Sequence, residues 1–419
     1  MGFDYNDEFD FNEISLDNLE LDIDNFDEDE VKERKPMSKA ARARRDAARA
    51  KARKKKLFAR RVTIVGFVVL FVCLVVTTLW VSISWIAGSI GSDDEPTTFT
   101  APPTEAPTTI TFNAPSIEDD KEVKGKYSTS DSSVYIYNNA AMKTFSGDDT
   151  TAIKYAETIS QFKETMGEDV TVYSMVVPSH IEFSVPQRLV KDGEVTTASQ
   201  TDFIRTVYET YEDVIPINCY NKLSEHCKEY IYFNTDHYWT ALGAYYGYQA
   251  FCEETDQKKL DIEVCTKNTV AGYEGPYLYY DESLATDTVE YWTFPYDSYA
   301  MRTEANGGTP YQTSIFYGGA TAGIYTYGLF LWNDCPLFVE YNEQLTNGKK
   351  IVVVKDTFAN PFASYLTANY EQVHIIDYRR YTGSLQKYCL DNEIDEVLFI
   401  NDVHSASDTD HHAAIKTLY

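Results

Sequence analysis

Residues 350–376 read KIVVVKDTFANPFASYLTANYEQVHII. After its leading lysine, 350–354 is apolar on both faces, and 372–376 repeats that character. The stretch 357–369 between them reads as a helix. Two short runs buried on both sides and joined by a helical crossover imply parallel strands in a sheet covered on both faces. Working outward, 384–392 reads as a helix and EVLFI at 396–400 as a further buried strand. Upstream, VTVYSMVV at 170–177 is a strand ending at Pro178, 198–211 is helical, 214–217 is a short strand and 240–252 is a helix. Residues 268–345, rich in Tyr and Gly, break this rhythm and read as an irregular or antiparallel insertion. The span 127–419 is thus expected to be one α/β domain with a mostly parallel central sheet.

In such sheets, functional groups gather beyond the C-terminal ends of the strands. Two ends stand out: Lys355-Asp356-Thr357 after KIVVV, and Asn401-Asp402-Val403-His404 after EVLFI. A hydroxyl on a strand-to-helix turn is placed for nucleophilic attack, because a helix N-terminus supplies free N–H donors. The plainer reading is that Thr357 caps its helix.

A third segment, Asn234-Thr235-Asp236-His237-Tyr238-Trp239-Thr240, opens the helix Ala241-Leu242-Gly243-Ala244. It resembles the signature of the DHHW proteins, a bacterial cell-surface group related to the alginate O-acetylation proteins and, through them, to the SGNH/GDSL hydrolases. The later KDTFANPFASYLTANYEQVHIIDYRRY is similar to that family's second block, and IDEVLFIND to its last strand. The resemblance runs from about Tyr127 to the C-terminus. It implies a three-layer SGNH-like α/β fold with the Tyr/Gly-rich insertion, and acyl-ester (O-acetyl) chemistry on carbohydrate. By the same resemblance a Ser is the nucleophile, a His is its base, an Asp orients that His, and Asn401 matches the residue that binds the oxyanion.

Two departures touch this chemistry. The nucleophile position is Thr357, whose methyl group restricts χ1 and crowds attack. The base position is Tyr238, a phenol that is protonated at neutral pH. His237 lies one residue, roughly 100° of helical turn, away from that point. His404 and His180, each just past a strand end, are the candidate substitute bases, and for each a surface or core role is the plainer reading. Two readings therefore stand. One is an O-acetyltransferase- or esterase-like protein with Asp236, His237, Tyr238 and Thr357 at its centre. The other is an inactive relative that binds surface glycan or an envelope protein. The tyrosines, 33 in all, suit either sugar stacking or ordinary packing.

The N-terminal part sets the location. Residues 1–30 carry 13 acidic residues and no Lys or Arg, and 31–61 carry 15 basic residues against Glu33 and Asp46. Such blocks repel themselves, so 1–61 is expected to be mostly disordered. Residues 62–91 contain no charge and exceed the ~20 apolar residues that cross a bilayer as a helix. The basic cluster before this span and Asp93-Asp94-Glu95 after it place the N-terminus in the cytoplasm and the rest outside the cell. Residues 92–126, dominated at first by Thr and Pro, read as an extended linker. The charges of 1–61 cancel, so the net −28 belongs to residues 62–419, which disfavours nucleic acid and anionic polymers. The expected partners are the lipid bilayer, an envelope polysaccharide and, by the resemblance, a multi-pass membrane acyltransferase. The six cysteines after the span match no zinc spacing, and no metal or other cofactor is implied.

Overall fold

A computed structural model describes residues 110–281 and 283–419. The expected cytoplasmic segment 1–61, the span 62–91 and the first part of the linker lie outside the described residues. Among the described residues no helix is long and apolar enough to cross a membrane.

The chain opens with a small antiparallel sheet of β1 (Lys126–Tyr127), β2 (Val134–Tyr137) and β3 (Ala140–Lys143). The helix α1 (Asp149–Met166) comes next, its start fixed by a capping box in which Asp148 accepts from the Thr151 N–H and the Thr151 hydroxyl bonds back. Then come β4 (Thr171–Val177), α2 (Gln200–Thr210), β5 (Ile215–Pro216) and α3 (Ala241–Glu254). The hairpin β6 (Thr266–Tyr273) and β7 (Asp287–Thr293) stands apart as its own two-stranded sheet. The chain continues through β8 (Ser298–Thr303), β9 (Tyr311–Thr313), β10 (Leu337–Asn342), β11 (Lys350–Lys355), β12 (Gln372–Asp377), α4 (Leu385–Asn392), β13 (Glu396–Asp402) and α5 (Thr409–Lys416).

Among the described residues eight strands form the main sheet in the order β5-β4-β13-β11-β12-β10-β8-β9. The first five run parallel; β10, β8 and β9 are added antiparallel. The fold is therefore mixed α/β with a large sheet, and the Tyr/Gly-rich insertion supplies both the separate hairpin and the antiparallel edge. Ile351–Val354 and Val397–Ile400 are wholly buried, as strands apolar on both faces must be.

Strand alternation shows the cover on each face. Tyr173 of β4 packs edge-on against Phe251 of α3. Ser174 points the other way, and its neighbour in register, Phe399 of β13, meets Phe162 of α1. The helix α1 in turn packs against α2 and α5.

The expected helix at 357–369 is instead three short turns: Thr357–Ala359, Asn360–Ala363 and Ser364–Ala368, the first and last of 3₁₀ type. Pro361 has no N–H to donate and can sit only where a helical turn begins, so the run is broken there. The C-terminal end of the expected linker is seated on the domain. Phe112 packs edge-on against Tyr220 at 5.1 Å, and the Asn218 and Asn221 side chains donate to the Thr111 carbonyl. All six cysteines of the described residues are free thiols.

Candidate active site

Parallel strands bring the ends of β4, β13, β11 and β12 to one crest of the sheet. Asp356, not Thr357, caps the turn after β11, its carboxylate accepting from the Phe358 N–H at 2.8 Å. The Thr357 side chain points into the crest instead. Its hydroxyl donates to Asp334 Oδ2 and accepts from Arg379 Nη2, the latter at 2.8 Å.

Asp334 is the hub of this centre. Its Oδ1 accepts from Lys355 Nζ at 2.5 Å and from Asn360 Nδ2 at 3.1 Å, and its Oδ2 also receives Arg379 at 3.0 Å. Asp377, at the end of β12, accepts from Lys355 at 3.2 Å and from Arg379 at 2.9 and 2.6 Å. Among the described residues two carboxyl groups thus face two cations. Burial opposes ionisation of Asp334. Lys355, the Thr357 hydroxyl and the Asn360 amide outweigh it and hold the carboxyl below its ordinary range. Burial also disfavours the Lys355 ammonium, but Asp334 and Asp377 reverse this and raise its pKa.

The segment 234–240 forms the adjoining rim. Trp239 Nε1 donates to the Phe358 carbonyl at 2.7 Å, tying this block to the one that carries Thr357. The Tyr238 ring stacks on Tyr327 at 4.4 Å, and Tyr327 OH donates to the Thr357 carbonyl at 3.3 Å. Burial, with Asp236, Tyr327 and Asp334 near by, pushes the Tyr238 phenol well above its ordinary value, so it keeps its proton. Asp236 is buried. Its Oδ1 accepts the His237 backbone N–H at 2.6 Å and lies 2.9 Å from His237 Nδ1, and its Oδ2 accepts from Tyr273 OH. The Asp therefore orients His237, one residue before Tyr238. Burial works against the charged imidazole, but Asp236 and then Asp402 outweigh it and raise the His237 pKa above 6.5.

The other expected residues are held elsewhere. Asn401 is fully buried; its Nδ2 donates to Asp356 and to Tyr378, each at 2.9 Å, and its Oδ1 accepts from Tyr155 at 2.9 Å. Both amide hydrogens are committed, which leaves none for an oxyanion. The His180 ring lies flat on Tyr232 at 5.1 Å, and burial lowers its pKa to about 3. The His404 ring stands edge-on to Phe145 at 5.7 Å, and burial lowers its pKa to about 4. Among the described residues His180 Nδ1 and His404 Nε2 have no hydrogen-bond partner, and neither ring bonds Thr357.

Asp334, Arg379, Tyr273 and Tyr327 escaped sequence reasoning. Arg379 stands two residues past the end of β12, so the strand-end rule reaches it. Asp334 lies in the insertion, where no periodic signal marks it.

A family model described as DHHW protein matches residues 107–376. Among solved structures, a DHHW family protein from Eubacterium siraeum is similar at 25% identity and a TM-score of 0.64, covering 70% of this chain and 97% of that one. PatB1 of Bacillus cereus with a sulfonyl adduct is similar at 21% identity and a TM-score of 0.55, covering 68% of this chain and 100% of its own. Another structure of PatB1 gives 20% identity and a TM-score of 0.54, covering 68% and 98%. No functionally curated protein matches the chain.

Proposed function

The chain belongs to the DHHW protein family, and from that premise we propose that it acts at the cell surface in the handling of O-acetyl esters on an envelope polysaccharide. In this reading it binds the glycan, and Thr357 is a held hydroxyl, not a nucleophile. One observation carries the reading: the Thr357 hydroxyl proton is donated to Asp334, and one of the oxygen's two lone pairs accepts from Arg379. A serine-type nucleophile needs a base that takes its proton and a lone pair aimed at the carbonyl. Here the proton already points at a carboxylate whose basicity Lys355 and Asn360 reduce. Arg379 occupies one of the oxygen's two lone pairs and cannot act as a base.

The proposal includes anchoring by the 62–91 span, with the N-terminus in the cytoplasm and 127–419 outside. It also includes a multi-pass membrane acyltransferase as partner. These parts rest on the apolar run, the flanking charges and the family resemblance.

A second reading, ester chemistry at Thr357, is favoured by one feature: Asp236 still orients an imidazole, now on His237. Hydrolysis of p-nitrophenyl acetate separates the two. The binding reading expects the wild type and Thr357→Ala to share one background rate, and Tyr238→His with Thr357→Ser to gain activity. A wild-type rate that Thr357→Ala lowers favours the enzyme.

A further inference from the structure

Three consecutive non-glycine residues, Leu331, Trp332 and Asn333, take left-handed backbone with φ of 53°, 56° and 66°. A single bulky residue in this region is already an outlier, and three in a row persist only where surrounding contacts over-determine them. Those contacts are present. The buried Arg302 guanidinium donates to the Leu331 carbonyl at 2.8 Å and to the Asn333 carbonyl at 3.1 Å, and is itself clamped by Glu304 at 2.8 and 3.1 Å. Trp332 Nε1 donates to the Ser314 carbonyl at 2.9 Å.

The turn delivers two things at once. One is Asp334, the hub beside Thr357. The other is the partly buried indole of Trp332, packed 4.6 Å from the ring of Tyr317, which is 39% exposed, at an interplanar angle of 58°. Tyr317 is also held: a Cβ on Gly319 would stand 2.7 Å from its Oη and Cζ, so the ring lies directly on that glycine. The two rings form a fixed aromatic corner, and Trp332 precedes Asp334 by two residues in the chain.

We propose that this corner is a stacking subsite for an uncharged pyranose chain; the proposal deepens the glycan-binding reading and rests on it. Sugar rings carry an apolar C–H face that matches an aromatic face, with hydroxyls at the rim. Rigid rings bind at lower entropic cost than mobile ones. The Trp332 N–H is spent on the Ser314 carbonyl, which leaves its ring face and not its polar edge for the ligand. The net charge of −28 beyond residue 61 selects against anionic chains.

The test uses the full chain titrated with N-acetylglucosamine hexamer, cellohexaose and an anionic galacturonate hexamer, read by calorimetry. At least one uncharged hexamer is expected to bind. Trp332→Ala and Tyr317→Ala should each weaken it about tenfold, the scale of one lost ring contact. Trp332→Phe should retain most of the affinity. Gly319→Ala, which removes no ring, should weaken binding by displacing Tyr317. Tyr279→Ala, at a 68% exposed ring, should change nothing. If an uncharged hexamer binds but the Trp332, Tyr317 and Gly319 variants match the wild type, the subsite is overturned while the glycan reading survives. If no hexamer binds, both fall; if only the anionic one binds, the stated ligand class is wrong.

Discussion

Asp334 and Asp236 both sit at the crest of the sheet, yet they are compensated in opposite ways. Asp334 meets Lys355, Arg379, Asn360 and Thr357, and with Asp377 it faces the two cations inside the protein. Asp236 meets a phenol, a backbone N–H and an imidazole that is 34% exposed. The difference teaches where the two departures from the family pattern were absorbed. At Thr357, Asp334 from the insertion and Arg379 from just past β12 hold the hydroxyl in place. Beside Tyr238, the Asp236 carboxylate holds His237, and its charge is balanced at the solvent edge.

The largest expected effect comes from the first side of this comparison. Among the described residues Asp334→Ala leaves Lys355 and Arg379 facing Asp377, and truncating one member of a buried ion pair costs about 3–5 kcal/mol. Asp236→Asn loses an exposed-side partner and hydrogen bonds, at about 1–3 kcal/mol. Urea unfolding of both variants checks the ranking, and equal losses would break the comparison.

A smaller effect sharpens the second side. The folded-state pKa of His237 is raised above 6.5. Its contribution to stability is therefore fully present below pH 6.5 and fades as pH rises through the raised value. An NMR titration should show His237 above 6.5 in the wild type and lower in Asp236→Asn. A wild-type value below 6.5 would mean that Asp236 does not control this ring.

Much of this could be read in the sequence. β4, β11, β12 and β13 announce themselves because strands buried on both faces leave continuous apolar runs. The two motif blocks, 236–239 and 357–358, do meet, through Trp239 and the Phe358 carbonyl. What stayed hidden depends on long-range geometry. Asp334 reaches Thr357 through a left-handed turn spelled Leu331-Trp332-Asn333, with no glycine to signal it. The amide of Asn401 is consumed by Tyr155, Tyr378 and Asp356, of which Tyr155 lies 246 residues away in sequence. The helix expected at 357–369 gave way to separate turns because one proline outweighs favourable neighbours.

The most direct test of the account is the reactivity of the Thr357 hydroxyl. Incubation of the full chain with an aryl sulfonyl fluoride, then peptide mass spectrometry, reports whether that oxygen attacks an electrophile. An oxygen whose proton is already donated to Asp334 and that already accepts from Arg379 should leave the peptide containing Thr357 unmodified. A sulfonyl adduct on Thr357 that disappears in Asp236→Asn would contradict the account, for it would mean that the oxygen is a working nucleophile served by the Asp236–His237 pair.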